Sequence, residues 1–275
     1  MSDDSDTTPT APAERDRSGN VQSVERALRL LEAIGEDEDG CRLVYLAERT
    51  QLSPSTAHRL LTTLQRRQFV QFDSSSGTWH IGRQSFLVGS RFVRHRNFVS
   101  AASPFLRRLR DVTRETANLG IIDDGDVVVL SQVESREVMR AITKVGGRVP
   151  MANSGMGKAI LATFSPDEIA SNVAVRGMHR YTHRSIVRMA DLRADLEQVR
   201  LRGYAVDDEE YQVGLRCIAA PVYNAHAEVL CAISVSGLAV RLTEDRVEPV
   251  GEIVARVARD LTIAVGGHMP ADQPS

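Results

Sequence analysis

Apolar residues recur every three or four positions in three stretches near the start of the chain, which is the spacing of one buried helix face. The first stretch begins at Val24 and ends at Gly35, and the second covers residues 43–50. The third runs from Ala57 to Leu64. We therefore predict three short helices, with an acidic loop between the first two and a tight turn between the last two.

The third helix carries the clearest start signal. Ser53 can accept hydrogen bonds from the free N–H groups of a first turn, and Pro54 suits the first helical position. At about 100° per residue, one face of this helix is apolar and the opposite face is polar and basic. Residues 43–65 therefore have the pattern of a helix-turn-helix.

Two short apolar runs follow at residues 69–72 and 78–81, on either side of a turn of Asp, Ser and Gly at 73–77. Such a pair of runs around a turn predicts a β-hairpin. Three helices followed by a hairpin form a winged helix-turn-helix domain, which we place at residues 21–85.

Beyond the hairpin the pattern changes twice. Residues 86–98 are rich in Arg and have the pattern of a linker helix, and a longer helix is expected at 101–115, opened by Pro104. Alternating strand-like and helical runs then predict an α+β domain over residues 99–275. The expected strands are 118–122, 127–133, 216–222 and 229–235, and the expected helices are 158–164, 167–174, 191–202 and 245–265.

Composition bounds the class of protein. With 275 residues and 42% hydrophobic content the chain can bury two cores, although residues 1–20 are too polar for this and are expected to be disordered. The net charge of −2 indicates nothing about nucleic acid. Local charge is more informative, because residues 74–110 contain several Arg and no Asp or Glu.

The chain also lacks the signals of membrane or secreted proteins. No apolar run approaches the roughly 18 residues of a membrane span, and the acidic N-terminus does not have the pattern of a signal peptide. Cys41, Cys217 and Cys231 are widely spaced, which favours a reducing cytoplasm over a disulfide framework or a zinc ribbon. We expect a cytoplasmic protein without a membrane partner.

The first candidate site is a DNA-binding surface. In a helix-turn-helix the second helix enters the major groove, where Arg can pair with guanine and hydroxyls can contact bases or phosphates. The alternative is a helical hairpin with a solvated basic face. The cap, the turn, the hairpin and the acid-free stretch favour DNA. The candidate residues are Ser53, Ser55, Thr56, His58, Arg59, Thr62, Arg66 and Arg67.

The second candidate is an anion site at a helix start. Residues 149–158 are rich in small residues and precede a helix, so free backbone N–H groups could hold an anion there. The order of residues is not that of a P-loop, which excludes nucleotide binding of that kind. A plain helix start remains the alternative.

Two further groups of residues are candidates for a polar or nucleophilic site and for a metal site. Ser234 and Ser236 share one face of a strand, and Cys217 could be a nucleophile or a small buried residue. His179 and His183 are spaced as two metal ligands on a helix, but no partner carboxylate or thiol accompanies them, and four nearby Arg favour a solvated basic segment. We expect no metal, no cofactor and no enzymatic activity. The alternatives are an enzyme fused to a DNA-binding domain, with Cys217 as its nucleophile, and a DNA-binding scaffold whose second domain only oligomerises.

Many separate segments, in order along the chain, resemble the IclR-type bacterial transcription regulators. The matching segments are residues 26–28, 52–56, 79–82, 155–159, 203–207, 214–219 and 234–237. Within the family, residues 79–82 and 241–246 particularly resemble those of a glyoxylate-sensing repressor of allantoin genes. The resemblance implies a winged helix-turn-helix, a linker helix and a GAF-like effector-binding domain.

The resemblance also implies partners and a ligand site. Such proteins act as homodimers or homotetramers on palindromic double-stranded DNA operators, and the effector implied is glyoxylate or a similar small organic acid. Met156 stands where the family has a small residue. The residues implied to bind the effector are Ser154, Gly155, Met156, Asp207, Cys217, Ser234, Val235 and Ser236.

Overall fold

The structure is a computed structural model that describes residues 21–37, 39–94, 97–138 and 144–270. The predicted disordered tail at 1–20 lies outside the described residues. The chain divides into two compact units between Phe92 and Val93. This division falls inside the segment that we predicted as a linker, residues 86–98.

The first unit has the predicted order of elements, with boundaries within one or two residues of those expected. Its core joins Leu30, Leu46 and Leu61 from the three helices to Trp79 of the hairpin. Cys41 pairs with Trp79 through two backbone hydrogen bonds, an extra bridge that the sequence did not predict. The elements are α1 (Gln22–Gly35), α2 (Leu43–Arg49), α3 (Pro54–Arg66), β1 (Val70–Asp73) and β2 (Thr78–Ile81).

The helices after the hairpin differ from the prediction. We expected a linker helix at 86–98 and a second helix opened by Pro104, but the structure has α4 (Arg83–Arg94) and α5 (Asn97–Thr113). Pro104 lies inside α5. A proline removes one helical hydrogen bond and the helix continues around it, so Pro104 does not mark the start. α5 ends where Arg114 adopts a left-handed backbone, with φ of 65°.

The second unit is built on one antiparallel sheet of six strands in the order β5-β4-β3-β8-β7-β6. We did not predict β5, which has only two residues, or β6, half of whose residues are Asp. Neither shows the apolar run by which strands are found in a sequence. The strands are β3 (Thr116–Asp123), β4 (Asp126–Val133), β5 (Arg148–Val149), β6 (Ala205–Asp208), β7 (Leu215–Tyr223) and β8 (Val229–Leu238).

Helices cover both faces of this sheet. One hydrophobic cluster joins the sheet to the fifth and last helices, and the other joins the opposite face to the sixth and eighth. The helix predicted from Lys158 begins three residues earlier, and His179 and His183 lie in the irregular segment between two helices rather than on one. The helices are α6 (Gly155–Leu161), α7 (Pro166–Arg176), α8 (Met189–Arg202) and α9 (Glu244–Ala264).

Candidate functional site

The third helix presents a polar and basic face to solvent in the first unit. The Ser53 side chain accepts from the N–H of Thr56 at 3.3 Å and so caps the helix. Ala57 and Leu61 are buried against α1 and α2, which turns His58 and Arg59 outward. Every candidate DNA-binding residue on or beside α3 is exposed or partly exposed: Ser53, Ser55, Thr56, His58, Arg59, Thr62, Arg66 and Arg67.

The hairpin that follows has a tightly bonded turn. Asp73 accepts hydrogen bonds from the backbone and hydroxyl of Ser75 and from the hydroxyl of Ser76, and these bonds lower the pKa of Asp73 to about 2. Gly77 closes the turn at φ of 72°. The turn is therefore an ordered, exposed wing beside the helix-turn-helix.

In the second unit, the strand register brings residues that are distant in sequence into one row across the sheet. Asp207, Cys217, Ser236 and Thr116 face one another across β6, β7, β8 and β3. Ser234, two positions from Ser236, lies on the same face of β8. The side chains of Asp207, Cys217, Ser234 and Ser236 are at most 7% exposed. Residues far apart in sequence thus form one enclosed polar cluster.

Several hydrogen-bond donors in this cluster converge on the sulfur of Cys217. Ser236 lies directly opposite Cys217, Gly155 packs against its sulfur, and the hydroxyls of Ser234 and Ser236 and the N–H of Gly155 each act to lower the pKa of the thiol. Burial, followed by the nearby Asp207 carboxyl, raises the pKa of the Cys217 thiol to about 11. A neutral thiol is a weak acceptor, so three donors meet at a point where an anionic oxygen would be bound more strongly.

The start of α6 is pressed against β7, which corrects our picture of N–H groups facing open space. A Cβ on Gly155 would lie 2.9 Å from the Cys217 sulfur, and one on Gly157 would lie 2.3 Å from the carbonyl oxygen of Met151. The hydroxyl of Ser154 accepts from the N–H of Gly157 at 3.0 Å. The glycines therefore serve close packing, and two of the N–H groups already have partners.

Asp207 is held at one end of the cluster by its own turn. One carboxylate oxygen accepts from the N–H of Glu210 at 2.8 Å and from that of Tyr211 at 3.3 Å. Burial, with a further contribution from Glu210, raises the pKa of Asp207 to about 7. Glu210 in turn bonds the fully buried ammonium of Lys158 at 2.5 Å. The cluster thus contains an acid that titrates near neutrality.

Two of the predicted ligand residues are placed differently from the rest. The Val235 side chain points into the hydrophobic cluster on the opposite face of the sheet, so only its backbone borders the site. Met156 is buried, and a Cβ on Gly120 of β3 would lie 2.9 Å from its sulfur. Met156 therefore packs over β3 beside the cluster and narrows it on that side.

The histidine pair does not have the geometry of a metal site. His179 and His183 are exposed and do not share a helix, so the spacing that suggested two ligands has no structural basis. Within the described ranges, no group of three or more His, Cys, Asp or Glu side chains is placed to hold a metal ion.

Comparison with known proteins decides the family. The sequence model described as the IclR helix-turn-helix domain matches residues 23–74, and the one described as "Bacterial transcriptional regulator IclR C-terminal" matches residues 90–263. The chain belongs to the IclR family. It is therefore a DNA-binding transcription regulator, as the resemblance in sequence implied.

Known relatives of this IclR-family chain are similar over nearly its whole length. The acetate operon repressor of Salmonella typhimurium is 41% identical over 260 residues, which cover 94% of this chain and 93% of the relative. The transcriptional repressor AllR of Escherichia coli is 38% identical over 246 residues, covering 90% and 91%. The Thermotoga maritima IclR structure aligns with a TM-score of 0.76 at 24% identity, covering 90% of this chain and all of that one.

Sequence reasoning missed two groups beside the site of this IclR-family chain. Asn118 bridges the two serine hydroxyls, and the buried Lys158 compensates the carboxylates around Asp207. Both residues lie in segments that we had assigned to a strand and to a helix start. An Asn inside an otherwise apolar strand, and a Lys inside a buried helix start, are the signals that could have revealed them.

No helix in the described part of the chain combines the length and the apolar character that a membrane crossing requires.

Proposed function

We propose that this chain is a cytoplasmic repressor whose binding to a palindromic operator is modulated by a small organic acid, with glyoxylate as the expected effector. The proposed effector site is the polar cluster on the sheet, and the proposed DNA site is the outer face of α3. The homologous relatives that are named repressors support the direction of control. The acetate operon named for one of them supports the metabolism of small acids as the target.

The convergence of three donors on Cys217 is the observation that carries the effector proposal. A carboxylate oxygen in front of Ser234, Ser236 and the N–H of Gly155 would replace one weak acceptor by a charged one, and charge-assisted hydrogen bonds are about twice as strong as neutral ones. The site is enclosed, and hydrogen bonds strengthen where water is excluded. Because the start of α6 packs closely on β7 beside this cluster, the proposed effector is an acid as small as glyoxylate.

The effector site is tested by calorimetry with glyoxylate and oxalate on the wild-type chain and on the variant Ser234→Ala/Ser236→Ala. Loss of two charge-assisted hydrogen bonds, each worth about 1.5–3 kcal/mol, should weaken binding by at least about 100-fold. Ser131→Ala on β4, which β3 separates from β8, is the matched control, and it should bind as the wild type does. Normal binding by the double variant would place the effector elsewhere.

The outer face of α3 carries the DNA proposal. Arg59 is exposed in the half of the helix that enters the groove in helix-turn-helix proteins. Arg59→Ala should cost about 1–3 kcal/mol of operator affinity and relax the base preference at one position of each half-site. Fluorescence anisotropy against a series of operators with single base changes measures both effects.

A matched variant distinguishes reading of bases from general attraction. Arg67→Ala, at the end of α3, should weaken binding about equally for all sequences and reduce the salt dependence, because we assign Arg67 to the phosphate backbone. If Arg59→Ala keeps both its affinity and its base preference, the role that we assign to Arg59 is wrong.

Self-association follows from the reach of one recognition helix. A single helix contacts only a short half-site, and paired copies are needed for a palindrome. The first unit also exposes apolar side chains on α1, including Val24 and Leu28, next to an apolar groove that reaches Phe69. Exposed apolar patches of this kind mark association surfaces. A homodimer or homotetramer is therefore part of the proposal.

A further inference from the structure

Asn118 lies beside the polar cluster, on the strand next to the two serines. It lies on β3, directly opposite Ser234 on β8 and Gln132 on β4, and its side chain is fully buried. Its amide nitrogen donates to the Ser234 hydroxyl at 3.3 Å and to the Ser236 hydroxyl at 3.2 Å. Its carbonyl oxygen accepts from Gln132 at 2.9 Å. One amide therefore connects both serines to a neighbouring strand.

The hydrogen bond from Gln132 matches the direction in which the Asn118 amide faces in the structure. A carboxamide has an acceptor oxygen and a donor nitrogen that are nearly equal in shape, so the neighbours decide between the two orientations. In the structure the Gln132 amide nitrogen donates to the oxygen of Asn118, and the Asn118 nitrogen faces the serines. Both of its hydrogens are then directed to Ser234 and Ser236.

This orientation determines the polarity of the two serine hydroxyls. A hydroxyl has one hydrogen to donate and lone pairs to accept with. Asn118 fills an accepting position on each serine oxygen, so each hydroxyl keeps its own hydrogen for another partner. Cys217 on β7 lies directly opposite Ser236 and next to this pair of hydroxyls, so its sulfur is the neighbouring acceptor. Both hydroxyls therefore present donors to the space where an effector would bind.

We propose that Asn118, oriented by Gln132, is the positioning residue that makes this site select small carboxylates over ligands with N–H donors. This inference rests on the proposed function, because it assigns the ligand class of the same effector site. Asn118 acts through Ser234 and Ser236 and does not itself have to touch the ligand. An Asp at this position would accept from both hydroxyls and turn their hydrogens away from the ligand.

The variant Asn118→Asp tests the inference, since it keeps the shape of the side chain and reverses its hydrogen bonding. Calorimetry should use glyoxylate, and glycolamide as a neutral analogue of similar size with an N–H donor. We expect the wild type to prefer glyoxylate. We expect Asn118→Asp to bind glyoxylate at least about 30-fold more weakly, the equivalent of one charged hydrogen bond or more, and to shift the ratio of affinities towards glycolamide.

The shift in that ratio separates a positioning role from a purely structural one. If Asn118 were purely structural, its replacement would weaken the binding of both ligands equally. Gln132→Met is the second variant and is expected to lose about tenfold in glyoxylate affinity, because it frees the Asn118 amide to turn over. Ser131→Ala, at the adjacent position of β4, is the matched control and should keep both affinity and preference. Thermal melting without ligand compares the folding of all variants.

The outcomes distinguish the inference from the function on which it rests. If the wild-type chain binds neither glyoxylate nor oxalate, the proposed function fails and the inference fails with it. If the wild type binds glyoxylate and folded Asn118→Asp binds it equally well, the inference alone is overturned. If Asn118→Asp does not fold, unchanged affinity and preference in Gln132→Met overturn the inference in the same way.

Discussion

Replacing Lys158 with Met is expected to lower the unfolding free energy of the second unit by about 3–5 kcal/mol, the typical cost of removing one partner from a buried ion pair. The Lys158 side chain is completely buried, and its ammonium lies 2.5 Å from Glu210 and 2.9 Å from Asp195. Burial lowers the pKa of Lys158, but Glu210 and Asp195 raise it by more, so the side chain stays charged. A Met side chain is similar in length to that of Lys but carries no charge.

The loss should depend on pH in a definite direction. Without Lys158, the pKa values of Glu210 and Asp207, which burial already raises, would rise further above their unfolded values. Stability from such groups is present at low pH and is lost as the pH rises through the folded pKa values. The defect of Lys158→Met should therefore be larger at about pH 8 than at about pH 5.

Chemical unfolding of the full chain measures this effect with an internal control. The single Trp, Trp79, lies in the first unit, so its fluorescence follows that unit, whereas far-UV circular dichroism also reports the second. The Trp transition should stay unchanged. The double variant Lys158→Met/Glu210→Gln should recover part of the loss, because it removes the uncompensated charge. A wild-type transition in Lys158→Met would show that Lys158 does not compensate these carboxylates.

The first unit was predictable because local signals determine it. The cap at Ser53, the proline after it and the apolar spacing of α3 all lie within a dozen residues, and the structure confirms each element within one or two residues. The bridge between Cys41 and Trp79 was not predictable in this way. It joins positions about forty residues apart, and no pattern near Cys41 indicates a strand.

The second unit shows what local patterns cannot supply. The longer strands were found from their apolar runs, but the cluster depends on register between strands, which places Asp207 beside Cys217 and Cys217 beside Ser236. These residues were predicted from the resemblance to a family. The periodicity of the sequence predicted only that Ser234 and Ser236 share one face of a strand. Asn118 escaped notice because its role depends on partners from two other strands.

Effector affinity should fall by about tenfold per pH unit above about pH 7, the pKa to which burial and Glu210 raise Asp207. A carboxylate that binds in front of Cys217 lies in the same row as Asp207, and two nearby carboxylates in a buried site cannot both ionise without a large cost. The ligand should therefore select the protonated form of Asp207. Below about pH 7 that form dominates and affinity should level off.

The variant Asp207→Asn tests whether protonation of Asp207, rather than of another group in the site, causes this pH dependence. The amide is neutral at every pH, so the variant should bind glyoxylate with an affinity close to that of the wild type at low pH and lose the decline above neutrality. Cys217, whose pKa is raised to about 11, stays protonated across this range and does not contribute. Calorimetry in two buffers of different ionisation enthalpy should show uptake of a proton by the wild type above about pH 7 and none by Asp207→Asn. The same slope in both proteins would mean that another group, with Glu210 the first to examine, accepts the proton.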